Sequence, residues 1–322
     1  MQRRRGADSE SVTARRQVFV ICSVPVVECA VLVGSSAMTT NRNLAEAVPA
    51  SDTWTSSLVG RTAMVTGSSS GMGREIARQL AAAGADVIVH CRARRELATE
   101  VVEQVRALGR KSLLLVGDLA DCGQHERLVQ EAWDWQQGVD IWVNNAGADV
   151  LTGEAARWSF EQKLELLYRV DVVGTMRLSR LVGRRMIERC ESGASRTPNM
   201  GEASIINIGW DQAEQGMGGD SGEMFAAIKG AVMSFTRSLA RSLAPRVRVN
   251  CVAPGWIRTS WGDQASEYWQ RRAVGESLLG RWGEPADVAA MVRFLVSSSA
   301  SFVTGQVIAV NGGFRTPEPI NK

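Results

Sequence analysis

A chain of 322 residues, 45% hydrophobic and 22% charged, has the composition of a globular protein and room for one large α/β domain or two small ones. Its 37 Lys and Arg against 34 Asp and Glu leave +3, and only +1 once the first 37 residues are set aside, so the body lacks the clustered basic face of a nucleic-acid binder. Six dispersed cysteines without a CxxC pair read as free thiols of a reducing compartment, and with only His90 and His125 neither a metal site nor a Ser-His-Asp hydrolase is expected.

In chain order, residues 1–57 read as an N-terminal extension and linker. A basic start, the apolar run 18–33 and the small residues after it resemble a secretory signal or an anchor. Pro25 and Glu28 interrupt that run, and it is shorter than the ~20 apolar residues a spanning helix needs. The competing reading is a disordered tail, or an upstream extension ahead of a start at Met38. That reading agrees with the thiols, so a cytoplasmic protein without membrane contact is expected. The globular domain is expected over 58–315, with a short tail at 316–322.

The apolar run 61–66 predicts a buried strand that leads straight into GSSSGMG, Gly67 to Gly73. A helical pattern follows over 74–84, with Gly84 as its stop. Strand, glycine turn and helix together make a phosphate-binding loop: glycines let the backbone approach a pyrophosphate, and the helix N-terminus supplies N–H donors and positive dipole. The next strand, 86–92, ends in Arg92, with Arg94 and Arg95 just beyond. A carboxylate at that point would suit the ribose hydroxyls of NAD, whereas guanidinium groups suit a 2′-phosphate, so NADPH is expected over NADH. The alternative is that these arginines only solvate the helix 94–108. A third strand, 112–119, carries Asp118, and a fourth, 140–147, ends in Asn144, Asn145, Ala146 and Gly147. Strands alternating with helices at 74–84, 94–108 and 123–136 imply a doubly wound parallel sheet with ligands at the carboxyl ends of its strands.

TGSSSGMG, GDL and NNAG in this order, followed by RVNCVAPGWIRT (248–259), GRWGEPADVAAMVRFLVS (280–297) and TGQVIAVNGG (304–313), resemble the short-chain dehydrogenase/reductases, in wording nearest the 3-oxoacyl-ACP reductase-like branch. The resemblance runs from about 58 to 313. It implies a single Rossmann-type α/β domain, with about seven parallel strands flanked by helices. It also implies a dimer or tetramer built through two long helices, near 160–190 and 222–243, and a substrate lid at about 258–281. The cofactor positions it implies are Gly67, Ser69, Ser70, Gly71, Met72, Gly73, Arg92, Asp118, Leu119, Asn145, Ala146, Gly147 and Lys229. Pro254, Gly255, Ile257 and Thr259 would meet the nicotinamide carboxamide.

Family chemistry uses Asn, Ser, Tyr and Lys, with Tyr giving a proton to the carbonyl oxygen as hydride arrives. Lys229 matches the Lys. Phe225, one helical turn before it, takes the Tyr place and has no O–H to give. Gly209 and Trp210 fall where Ser should be, and Asp171 where Asn should be. Enoyl reductases of the superfamily place Tyr seven residues before Lys, and that position is Gly222. The only tyrosines are Tyr168, read as a packed or rim aromatic, and Tyr268 in the lid. Asp171, Asp211 and Glu214 are candidate replacement donors if burial and like charge keep one of them protonated; otherwise they form a polar loop with an ion pair to Lys229. Trp210 would stack on a flat substrate or close the pocket. Trp256, Trp261, Trp269 and Trp282 in the lid suit a flat or apolar ligand, or packing. The expected function is NADPH-dependent hydride transfer to a carbonyl-like small molecule or acyl thioester with a non-standard proton donor. The alternative is an inactive NADPH-binding pseudoenzyme or partner subunit.

Overall fold

The computed structural model describes residues 58–193 and 203–315. The extension at 1–57, the start at Met38 and the tail at 316–322 lie outside the described residues. Within them the chain runs β1 (Thr62–Val65), α1 (Gly71–Ala82), β2 (Asp86–Cys91), α2 (Arg95–Ala107), β3 (Ser112–Val116), α3 (His125–Asp134) and β4 (Ile141–Asn144). It continues through α4 (Phe160–Leu167), a π-helical segment Tyr168–Gly174, α5 (Thr175–Glu191), β5 (Ala203–Ile208), α6 (Gln212–Gln215) and α7 (Asp220–Leu243). The last elements are β6 (Val247–Pro254), α8 (Ser260–Gln264), α9 (Glu267–Glu276), α10 (Pro285–Val296) and β7 (Val307–Val310).

All seven strands pair in parallel in the order β3-β2-β1-β4-β5-β6-β7. The central ones are continuous apolar runs because helices cover both faces. Alternation along each strand divides the core. Ala63 and Val65 of β1 face Ile76 and Leu80 of α1, Val101 of α2 and Val292 of α10. Met64 faces the other way, into Leu128 of α3, Leu178 and Val182 of α5 and Leu239 of α7. A smaller cluster of Val150, Leu167, Val172, Met224 and Ile228 lies beneath α4, the π segment and α7. After β3, at one edge of the sheet, the chain crosses back to pair β4 with β1, so strand order reverses between those two. The crevice outside their carboxyl ends is where this architecture binds ligands.

Three elements differ from the sequence reading. The helix expected from 74 begins at Gly71, so Gly71 to Gly73 already form the first turn of α1. The helix expected over 123–136 is helical in α3 only over His125–Asp134, with 3₁₀ turns on either side, and Gln136 and Gln137 adopt positive φ. The long helix near 160–190 carries the π segment in its middle, and Asp171 lies in that segment. Such π turns are rare within α-helices and frequently lie at functional sites. Among the described residues no helix is long and apolar enough to cross a membrane.

Candidate active site

The glycine turn is tied from both sides. Thr66 Oγ1 accepts the backbone N–H groups of Asn145 and Ala146, each at 3.0 Å, and Asn145 Nδ2 donates back to the carbonyls of Thr66 (2.9 Å) and Gly67 (3.2 Å). These contacts are so close that glycine is required. A Cβ on Gly67, at φ +62°, would lie 2.8 Å from Ala146 Cα, and one on Gly73 would lie 2.4 Å from both Asn145 Nδ2 and the Gly67 oxygen. Ser70 caps α1 without using its side chain, and the first turn holds no carboxylate. By contrast α2, α3, α4 and α10 each carry an acid there. The N-terminus of α1 is therefore left electropositive, as an anionic phosphate requires.

Arg92, Arg94 and Arg95 are exposed at the end of β2, and among the described residues no carboxylate pairs with them. Asp118 accepts the N–H of Ala120 at 2.9 Å and so shapes the turn after β3, while Leu119 is buried. Thr259, at the start of α8, stands across from the glycine turn: a Cβ on Gly71 would lie 3.7 Å from its Cγ2. Ile257 is buried and bridges to Gly283. Pro254 and Gly255 close β6, with Gly255 N–H donating to the Val310 oxygen at 3.0 Å.

At the reaction end, the π segment brings Asp171 against α7. Asp171 Oδ1 lies 2.8 Å from Lys229 Nζ, and Oδ2 accepts the Ala148 N–H at 2.9 Å. The Asp171 side chain is 1% exposed and that of Lys229 14%. Lys229 also donates to the Ile208 oxygen at 3.3 Å. Gly147 makes room for the pair, since a Cβ there would sit 2.9 Å from Asp171 Oδ1. One turn from Lys229, the ring of Phe225 meets Trp210 edge to face, centroids 6.2 Å apart. Phe225 and Trp210 thus form an aromatic pair one turn from a lysine already held in an ion pair.

The three acids proposed as donors do not converge. Asp171 is committed to Lys229. Glu214 pairs with Arg237 on the half-exposed surface. Asp211 is buried, with Oδ2 accepting from Asn311 Nδ2 at 3.0 Å and Oδ1 from the Gln212 N–H at 2.8 Å. Burial is the main cause that pushes its carboxyl up to about 6, with nearby Glu276 adding to it and the hydrogen bonds opposing. It lies beneath Gly255, whose added Cβ would be 3.0 Å from Asp211 Oδ2. Tyr168 and Tyr268 are both 50% exposed, and Tyr268 stacks edge-on against Trp269. The four lid tryptophans pack chiefly on one another, Trp256 lying within 6.2 Å of Trp261, Trp269 and Trp282.

Residues 67–315 match the family model described as enoyl-(acyl carrier protein) reductase. The chain belongs to the short-chain dehydrogenase/reductase family of oxidoreductases. The 3-oxoacyl-[acyl-carrier-protein] reductase FabG of Staphylococcus aureus is 33% identical over 255 residues, covering 79% of this chain and 97% of that relative. A short-chain dehydrogenase from Burkholderia cenocepacia, solved in complex with NADP, is similar at TM-score 0.69 and 29% identity, covering 80% of this chain and 98% of that one. A blue fluorescent protein from a metagenomic library, solved in complex with NADPH, gives TM-score 0.69 and 33% identity, covering 81% and 100%.

Two features of this family member went unseen in its sequence. His90, inside β2, accepts the Gly67 N–H on Nδ1 at 3.1 Å, while its backbone N–H donates to Ser68 Oγ at 3.0 Å. Burial lowers its pKa to about 4, so it stays neutral and keeps that acceptor. The signal was a histidine in an otherwise apolar strand facing the glycine turn. Glu276, at the end of α9 and 3% exposed, ties the lid down. Its carboxylate accepts from Trp256 Nε1 at 2.7 Å and from Gln212 Nε2 at 3.3 Å, and pairs with Arg272 at 2.6 Å.

Proposed function

We propose that this chain binds NADPH across the carboxyl edge of its sheet and passes hydride to a carbonyl-like small molecule or acyl thioester without a tyrosine acid. The observation that carries the reading is one continuous edge. It runs from the uncapped, acid-free N-terminus of α1, past Thr259, to Lys229 and the Trp210–Phe225 pair. Gly67, Ser69, Ser70, Gly71, Met72 and Gly73 would hold the pyrophosphate. Asp118, Leu119, Asn145, Ala146 and Gly147 would line the adenosine and ribose side. Pro254, Gly255, Ile257 and Thr259 would meet the nicotinamide. The unpaired Arg92, with Arg94 and Arg95 near it, supports a 2′-phosphate, and so do the NADP and NADPH complexes of the two structural relatives.

When bound, the dinucleotide supplies the hydride; the chain binds, orients and excludes water. Lys229, held between Asp171 and the Ile208 carbonyl, would meet the nicotinamide ribose. Asp211 uses both of its carboxyl oxygens as hydrogen-bond acceptors, from the Gln212 N–H and the Asn311 amide. Assembly as a homodimer or homotetramer through α5 and α7 belongs to the same reading.

A second reading is favoured by the Asp171–Lys229 pair alone: a subunit that holds NADPH and does not turn over. Nucleotide fluorescence tests the shared premise. The unmodified chain is expected to bind NADPH more tightly than NADH, and the triple change Arg92→Ala, Arg94→Ala, Arg95→Ala to remove that preference while leaving NADH binding. Equal binding of both dinucleotides by the unmodified chain would refute the cofactor assignment.

A further inference from the structure

Hydride added to a neutral carbonyl leaves an alkoxide, which needs a proton or a preorganised positive charge at the oxygen. This site offers neither. Phe225 has no O–H, and Trp210 holds an indole, with no hydroxyl, at the end of β5. Lys229 Nζ, one turn from Phe225, is 2.8 Å from a buried carboxylate and 3.3 Å from a carbonyl. Asp211 accepts only from neutral donors, the Asn311 amide and the Gln212 N–H, so its charge has no cation at bonding distance. Glu276 balances Arg272, and Asp171 balances Lys229. Of these groups only Asp211, next to Trp210 in sequence, is left without a cation at bonding distance, and no positive charge is left over, the reverse of what an alkoxide requires.

We infer that the acceptor is an iminium cation, a carbon–nitrogen double bond carrying positive charge at nitrogen, held on the faces of Trp210 and Phe225. This rests on the hydride-transfer reading above and narrows it. Aromatic faces, tryptophan best of all, attract cations, and a carboxylate nearby adds to that attraction. The bookkeeping closes without an acid. The iminium carbon takes a hydride, with its electron pair, from the reduced nicotinamide dinucleotide and forms a C–H bond. The π pair of C=N moves onto nitrogen as a lone pair. The substrate loses its positive charge as the oxidised dinucleotide gains one, and no proton is consumed. The changes from the family pattern then agree with one another: Phe for Tyr removes an acid for which this reaction has no use, Asp171 cancels the lysine charge that would repel a cation, and Trp210 replaces a hydroxyl with a cation-binding face.

The test uses the full chain with N-methyl-3,4-dihydroisoquinolinium, a permanently charged iminium, against 1-tetralone, a neutral ketone of the same bicyclic shape. Binding is followed by tryptophan quenching with and without NADP+, and transfer by mass spectrometry with NADPH deuterated at C4. The iminium is expected to bind about tenfold or more tightly than the ketone. Trp210→Leu is expected to weaken the iminium about 2- to 30-fold, with Trp210→Phe, which keeps a ring, falling between. The product is expected to be N-methyltetrahydroisoquinoline with one deuterium on the former iminium carbon. Ketone binding equal to or tighter than iminium binding, or iminium affinity unchanged in both Trp210 variants, overturns the inference. If NADPH itself does not bind, the hydride-transfer reading falls and takes this inference with it; if NADPH binds and the iminium does not, the inference falls alone.

Discussion

Breaking the Asp171–Lys229 pair should be asymmetric, and the asymmetry follows from burial. Asp171 is 1% exposed and has one further donor, the Ala148 N–H, whereas Lys229 is 14% exposed on a flexible stem. Lys229→Met strands a buried carboxylate, and removing one partner of a buried pair costs about 3–5 kcal/mol. Asp171→Asn keeps an acceptor for Ala148, and the released ammonium can lean toward water, so the loss is nearer the ~1.5–3 kcal/mol of a charge-assisted hydrogen bond, at its lower end. The double variant should cost less than the sum of the singles, with a coupling within the 0.5–3 kcal/mol range seen for residues in contact. For a domain of this size each kcal/mol moves Tm by ~2–4 °C, so Lys229→Met should melt roughly 6 °C or more below the unmodified chain. Thermal and urea denaturation of the four proteins at pH 7 provide the cycle. Equal costs for the two single changes, or strictly additive ones, would refute the claim that the lysine charge is spent on Asp171.

Other predictions follow from the same contacts. Gly73→Ala places a Cβ 2.4 Å from Asn145 Nδ2 and from the Gly67 oxygen, so calorimetric titration should show dinucleotide affinity falling at least about tenfold, with ~1–3 kcal/mol lost in stability. His90 falls from 6.5 to about 4 on folding, so the unfolded chain binds the extra proton and stability is gained as pH rises through that window. Asp211 rises from 3.8 to about 6, so the folded chain binds the extra proton and stability is lost as pH rises from 4 to 6. Each effect is worth roughly 3 kcal/mol, and they oppose each other. Against the unmodified chain, His90→Asn should therefore make urea midpoints decline more steeply between pH 4 and 6, and Asp211→Asn should make them climb; superimposable profiles would contradict both assignments. Phe225→Tyr combined with Asp171→Asn restores a phenol beside an uncommitted lysine. In steady-state assays it should raise carbonyl reduction at least about tenfold, within the 10²–10⁴ that an acid supplies, while Phe225→Tyr alone gains less.

Much of the fold was legible because its signals are local. The runs at 61–66 and 86–92, the glycine turn between them and the helical period after it are contiguous, and they gave strand, loop and helix with the right order in space. That Phe225 and Lys229 lie one turn apart on one helix was legible for the same reason, since they are four residues apart in sequence. Where the reading stopped, the cause was long-range. Nothing in YRVDVVG marks a π turn, and the ion pair its Asp171 makes is with a lysine 58 residues later. His90 acts on a backbone N–H 23 residues earlier, and Glu276 on a side chain 64 residues before it. The donor set also needed coordinates, because Asp211 and Glu214 are three residues apart in sequence yet one is buried under Gly255 and the other pairs with Arg237 in solvent.

The central claim, hydride transfer from NADPH at a site without a tyrosine acid, is tested most directly by NADPH oxidation with the purified, unmodified chain. The acceptors would be 3-oxoacyl thioesters, diketones, quinones and cyclic iminium salts. Turnover is expected with Phe225 in place, greatest on the acceptors that need no proton. Tight NADPH binding with no oxidation on any of them would contradict it and leave the dinucleotide-holding subunit as the reading that stands.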